Sequence, residues 1–384
     1  MVSKSAVLMD AATGTVVFSH NPSLLIPPAS LTKLMTIHLA LREIDAGRAS
    51  PDEIVPLPPE TWAENQPARS SLMFLGRGQR VTLGELLLGL AVSSGNDAAV
   101  AVALRFAPSV EAFASLMNAE AGALGLAATH FVEPAGISEL NTTSAADFAR
   151  FCRYYLQHHP QSTATLHSVR QFAYPLQANT PQAAPRTIIQ NSHNPLLGLE
   201  GVDGLKTGYI SEAGYNIALS ANRKGTRFIA VILGAQNEDE RDSDAVGLLE
   251  WGFANFRTLD LGAYNIDNYL PPKRIWKSRE KYVPLTVPGL QNEGQDPLGP
   301  GTGLLVTIST VRGDVLEWDT ETQNFIEAPV KAFSTVGRLA VSDRYGVFAR
   351  FPVALKSDAT RSGVFRSLVD GIVMFFCKLF GKPA

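Results

Sequence analysis

The sequence predicts an α+β fold in three parts, on three observations. Strand-like runs at the two ends of the first 257 residues enclose a mainly helical middle. Residues 258–356 carry short β-like runs broken by Pro, Gly and Asn. Residues 357–384 hold aromatic and aliphatic side chains at helical spacing. Strands placed at both ends of one region close a single sheet, so the first part is read as an antiparallel sheet with a helical insertion. The second part is read as a small all-β domain and the third as an amphipathic helix.

At the N-terminus, SAVLMDAATGTVVFSHN is two β-prone runs around Thr13-Gly14, a hairpin signal. From Ser30 the pattern turns helical: Leu31, Leu34, Met35, Ile37, Leu39, Leu41 and Ile44 cover most of the circumference, as in a helix buried on nearly all sides. Residues 82–92 and 97–105 are helix candidates broken at Ser93-Ser94-Gly95-Asn96, and helical patterns continue at 110–124 and 144–157. The segment 158–200, rich in Pro, Gln, Asn and Ser, is expected to be irregular. A hairpin around Asn222 to Thr226 and a helix over 241–256 complete the first domain. In the second, YVPLTVPG, GLLVTIST and RLAVSDRYGVFARFPVAL are the β-like runs, and Pro297 to Gly303 excludes a helix.

The 384 residues are 45% hydrophobic and 18% charged, with a formal charge of -3. That is an ordinary folded composition, with no basic excess to suit nucleic acid. Cys152 and Cys377 lie far apart and imply no disulfide framework. No HExxH occurs, and His158-His159 before a proline reads as a helix end, so neither a metal nor an organic cofactor is expected. The chain as given opens almost at once in a strand-like run, without an export signal.

Three short motifs carry chemistry. Ser30 and Lys33 are three apart and share a helix face. A serine hydroxyl needs a base, and a lysine becomes one when apolar burial lowers its pKa. The helix start adds N–H groups suited to an oxyanion. Ser94-Gly95-Asn96 sits at the break between two apolar helices, and Lys206-Thr207-Gly208 precedes a hairpin. Gly208 leaves a strand position bare, where a ligand backbone can pair. Singly the first two motifs are weak, since Ser278–Lys281 repeats the first and Ser192-His193-Asn194 the second. In this order they form the signature of penicillin-recognising serine enzymes, with Gly95 in place of aspartate.

With PASLTKLMT, SSLMF, SSGNDAAVAVA, TSAADFA and GVDGLKTGYISEAGYN, the chain closely resembles the low-molecular-mass penicillin-binding proteins, the serine-type D-alanyl-D-alanine carboxypeptidases of bacteria. The resemblance implies a penicillin-binding, serine β-lactamase-like catalytic domain that trims the terminal D-alanine from peptidoglycan pentapeptides and is inhibited by β-lactams. It implies Ser30 as nucleophile, Lys33 as general base, Ser94 as proton relay, Asn96 as holder of the substrate amide, and Lys206 as a positive charge steadying Ser94. Thr207 would bond the substrate carboxylate, the backbone N–H groups of Ser30 and Tyr209 would form the oxyanion hole, and Arg241 would read the carboxylate. Relatives often have His where this chain has Tyr209. The tail, residues 361–382, would hold the enzyme peripherally on the outer face of the inner membrane, in the periplasm. Two alternatives remain open: a β-lactamase, with Glu133 or Glu139 as its deacylating base, and a non-catalytic peptidoglycan-binding scaffold.

Overall fold

The computed structural model describes residues 1–182, 184–260, 266–288, 305–309, 316–343 and 346–380. The chain divides into two compact units, Met1–Ala254 and Asn255–Ala384.

In the first unit, β1 (Ser5–Asp10) and β2 (Val16–His20) form the opening hairpin. A 3-10 turn over Ala29–Thr32 leads into α1 (Lys33–Asp45). The expected helix start at Ser30 is thereby refined: Pro27 and Pro28 precede the turn, and Ala29 takes a positive φ of 52°. The two-residue strands β3 (Ile54–Val55) and β4 (Val81–Thr82) pair ahead of α2 (Leu83–Ala91) and α3 (Asn96–Phe106). Next come α4 (Val110–Ala123) and α5 (Ala145–His158). Helix starts follow side-chain chemistry: Thr82 and Glu85 make a reciprocal capping box, and Ser109 and Ser144 each accept an N–H from the first turn. His158 closes α5 and His159 follows it.

The stretch 158–200 is not irregular throughout. It holds a short helical turn (Thr163–His167) and an antiparallel pair, β5 (Gln171–Tyr174) and β6 (Ile188–Asn191). Four-residue strands separated by a Pro- and Gln-rich loop leave too little period-2 alternation to register. Then β7 (Val202–Ile210), β8 (Gly214–Arg223) and β9 (Thr226–Ala235) lead into α6 (Glu238–Asn255).

The main sheet has the antiparallel order β2-β1-β9-β8-β7. The first strands and the last therefore share one sheet. β1 lies between β2 and β9 in the register Ser5↔Leu233 to Asp10↔Phe228, and all six of its residues are buried. Phe148, Phe151, Cys152 and Tyr155 give α5 a buried face, and α5 packs against β1 and β9. β7 is an edge strand. Its Lys206–Gly208 segment passes beside the turn that carries Ser30.

In the second unit, β10 (Phe256–Asp260) pairs with a later strand; β11 (Lys273–Trp276) and β12 (Tyr282–Val283) form a short antiparallel pair; and β13 (Leu285–Thr286) follows. β14 (Leu305–Ser309) is the partner of β10. After β15 (Glu317–Thr322) and β16 (Ile326–Glu327) come β17 (Thr335–Asp343) and β18 (Gly346–Leu355), in a sheet of order β13-β18-β17-β15. Ile275, Val283, Leu285, Leu339, Val341, Val353 and Leu355 form its core. Pro297 to Gly303 and Lys382 lie outside the described residues.

The last helix is α7 (Val364–Leu379). Phe365, Leu368, Phe375, Phe376 and Leu379 are all exposed, and Met374 alone of the helix is buried. Among the described residues no single helix is long and apolar enough to cross a membrane.

Candidate active site

The turn before α1 places Ser30 at the surface of the core and Lys33 inside it. Lys33 Nζ lies 2.9 Å from Ser30 Oγ, 2.8 Å from Asn96 Oδ1 and 2.5 Å from the carbonyl oxygen of Ala135. The amine is fully buried. Desolvation drives its pKa down to about 7, against the opposing charges of Glu133 and Asp97. A large neutral fraction at pH 7 is what a general base for an alcohol requires.

Three acceptor contacts on one amine have a geometric consequence. Neutral –NH2 has two N–H bonds and one lone pair. The Asn96 and Ala135 oxygens can only accept, so they take the two N–H bonds. The lone pair is left for the Ser30 hydroxyl proton.

Asn96 starts α3, and Asp97 beside it anchors the wall opposite. The Asp97 carboxylate accepts the N–H of Met73 at 2.8 Å, of Leu75 at 3.0 Å and of Ala98 at 2.9 Å. Burial raises its pKa, with those N–H bonds opposing. A Cβ at Gly95 would lie 2.7 Å from Asp97 Oδ1 and 2.9 Å from Met73 N, so an aspartate does not fit there as the backbone stands. Ser94 is buried and takes a positive φ of 57°, and its Oγ has no hydrogen-bond partner. Strained backbone at Ala29 and Ser94 flanks the reacting groups from both motifs.

On β7, Lys206 is buried, and desolvation, then Lys33 and Arg241, hold its pKa well below the lysine value. Lys206 Nζ donates to the Thr207 carbonyl at 2.9 Å, so the bond expected to Ser94 is not made. Thr207 is buried, and its hydroxyl donates weakly to the His193 carbonyl at 3.4 Å. A Cβ at Gly208 would lie 2.8 Å from Ser30 N and 3.0 Å from Pro28 O. Only glycine lets the strand edge run this close to the Ser30 N–H. The Tyr209 ring is exposed and leans on Tyr215, with ring centroids 4.4 Å apart. Arg241 is buried in the first turn of α6, where it bonds Asp242 at 2.8 Å and lowers the affinity of Lys206 for its proton.

Two residues escaped the sequence reading of this site. One is Asp97, which acts on backbone N–H groups and leaves no spacing signal. The other is Ala135, whose side chain is irrelevant. Glu133 turns its carboxylate onto its own loop, accepting N–H bonds from Ala135, Gly136, Ile137 and Ser138 and the Asn141 amide. Glu139 is exposed. Among the described residues no group of three His, Cys, Asp or Glu side chains is arranged to hold a metal.

A serine set against a buried lysine, an unpartnered second serine and a lysine-bearing sheet edge define a serine hydrolase that works through an acyl-enzyme. Residues 1–237 match the family model described as Peptidase_S11, D-alanyl-D-alanine carboxypeptidase. The chain is 32% identical over 372 residues to the D-alanyl-D-alanine carboxypeptidase DacD of Salmonella typhimurium, covering 95% of this chain and 88% of that one. The crystal structure of penicillin binding protein 5 from Haemophilus influenzae aligns with a TM-score of 0.77 at 27% identity, covering 94% of this chain and 98% of that one. The ampicillin-bound penicillin-binding protein D2 of Listeria monocytogenes aligns over 66% of this chain and 98% of its own, at a TM-score of 0.57 and 28% identity. The chain belongs to the D-alanyl-D-alanine carboxypeptidase family of serine peptidases.

Proposed function

We propose that this chain is a D,D-carboxypeptidase that removes the terminal D-alanine from peptidoglycan pentapeptide stems through an ester on Ser30. The contact of a fully buried Lys33 amine with Ser30 Oγ at 2.9 Å carries the reading. Lys33 takes the hydroxyl proton as Oγ attacks the penultimate D-alanine carbonyl. The Ser30 and Tyr209 N–H groups receive the oxyanion. The C–N bond to the terminal D-alanine then breaks, and Ser94 relays the proton held by Lys33 to the departing amine, leaving both groups neutral. Water hydrolyses the ester and frees Ser30. Asn96 holds the substrate amide, Thr207 bonds its terminal carboxylate along the β7 edge, and Arg241, with Lys206 beside it, supplies positive charge at that end of the site. A β-lactam acylates the same serine.

Exposure to a fluorescent penicillin, with the adduct mapped by mass spectrometry, tests this. The label is expected on the peptide holding Ser30, and Ser30→Ala is expected to release no D-alanine from a pentapeptide. A label on another serine, or D-alanine release by the variant, overturns the assignment.

The substrate lies outside the cytoplasm, and α7 supplies the attachment. Its exposed phenylalanines, with Arg366 and Lys378 among them, have the composition of a helix lying in a membrane interface. Removing residues from 360 onward is expected to give soluble, active enzyme. Sedimentation of that truncated form with membranes would refute the anchor.

A further inference from the structure

Lys33 can aim its lone pair at Ser30 only if both other acceptors stay in place. Asn96 is held by the start of α3. Ala135 lies on a loop and needs its own support. The peptide unit between Ala135 and Gly136 offers its oxygen to Lys33 Nζ on one side. On the other side its N–H donates to Glu133 Oε1 at 2.7 Å. The same Oε1 accepts Ile137 N at 2.9 Å, Ser138 N at 3.3 Å and Asn141 Nδ2 at 2.8 Å, while Oε2 accepts Ala135 N at 2.7 Å.

The loop is also tied to the helix of the nucleophile. Thr36 Oγ1 donates to the Pro134 carbonyl at 2.8 Å, and Asn141 Nδ2 lies 3.3 Å from Thr32 Oγ1. Gly136 has a φ of +79°, and a Cβ there would lie 1.9 Å from the Ala29 oxygen. The chain thus brings this peptide unit hard against the Ser30 turn. An anion at its N–H end polarises the unit and makes the Ala135 oxygen a stronger acceptor.

We propose that Glu133 is a positioning residue for the general base: through the Ala135–Gly136 peptide unit it fixes the acceptor that turns the Lys33 lone pair onto Ser30. It does not touch the reacting atoms. With five donors on its two oxygens it is committed to the loop, which separates its role from that of a deacylating base. The inference rests on the reading of Lys33 as base.

The test is the rate of Ser30 acylation by a fluorescent penicillin against pH, for the full chain and for Glu133→Gln. The amide puts a donor where one carboxylate oxygen accepted, and it removes the charge that favours protonated Lys33. Two changes are expected together. The high-pH plateau falls by about 10–100-fold, as for a misplaced catalytic group. The acid limb moves to lower pH, because Lys33 loses its proton more readily. Glu133→Asp, which keeps the charge on a shorter arm, is expected to leave the limb where it stands and to lower the plateau less.

A Glu133→Gln limb that stays in place, or a plateau equal to wild type, overturns the proposal. If Glu133→Gln does not fold, as judged by its thermal melt, Glu133→Asp decides alone: a plateau equal to wild type overturns it. A wild-type profile without an acid limb near pH 7 has a different meaning: it removes the base reading itself.

Discussion

The chain contains the same spacing twice, Ser30–Lys33 and Ser278–Lys281, and the two copies share almost nothing else. Ser30 sits in a 3-10 turn that runs into a helix buried from Lys33 to Ala40, so three residues of spacing bring its hydroxyl against an amine in the protein interior. Ser278 lies between β11 and β12, and its hydroxyl donates to the Thr360 carbonyl at 3.1 Å. Lys281 is exposed, its amine 5.6 Å from the centre of the Tyr282 ring. One serine is set against a desolvated amine; the other is consumed by backbone, beside an exposed amine. Burial makes the first pair chemical, and spacing only permits it.

The comparison breaks most sharply at the bases. Lys33→Met preserves the length and greasiness of the side chain and removes the base. Acylation by penicillin is expected to fall by about 10²–10⁴-fold. Lys281→Met is expected to leave the rate unchanged. Equal effects at the two lysines would mean that burial does not distinguish them.

A smaller loss is expected at the strand edge that only the first copy faces. Gly208→Ala puts a methyl group 2.8 Å from Ser30 N, where either the strand or the turn must give way. A shift of that kind in a catalytic geometry costs about 100-fold. The check is kcat/KM for D-alanine release, alongside a thermal melt showing the fold intact. Wild-type kcat/KM in the alanine variant would mean that β7 does not form that wall.

Much of this was legible because it lies in local pattern. Strands at both ends of the first unit, apolar periodicity through α1 and a Lys-Thr-Gly that occurs once all survive as sequence. The parts that were not legible act through backbone. Asp97 works on the N–H groups of residues 73–75, and Glu133 works on the N–H groups of its own loop. Neither has a partner side chain to set a spacing. β5 and β6 were hidden for another reason: each is four residues long, and a polar loop separates them. The Lys206–Ser94 bond was expected from resemblance. The structure instead turns Lys206 onto its neighbour's carbonyl and leaves the Ser94 hydroxyl unpaired.

The central claim is that Ser30 is activated by an uncharged lysine whose proton burial has loosened. The most direct measurement is the second-order rate of Ser30 acylation by a penicillin in the wild-type chain, followed from pH 5 to pH 9. Lys33 must be deprotonated to act, so the rate should rise with pH and reach half its plateau near the pKa of about 7 that burial imposes. A rate that stays flat down to pH 5, or one that is still climbing as an ordinary exposed lysine titrates, would contradict it.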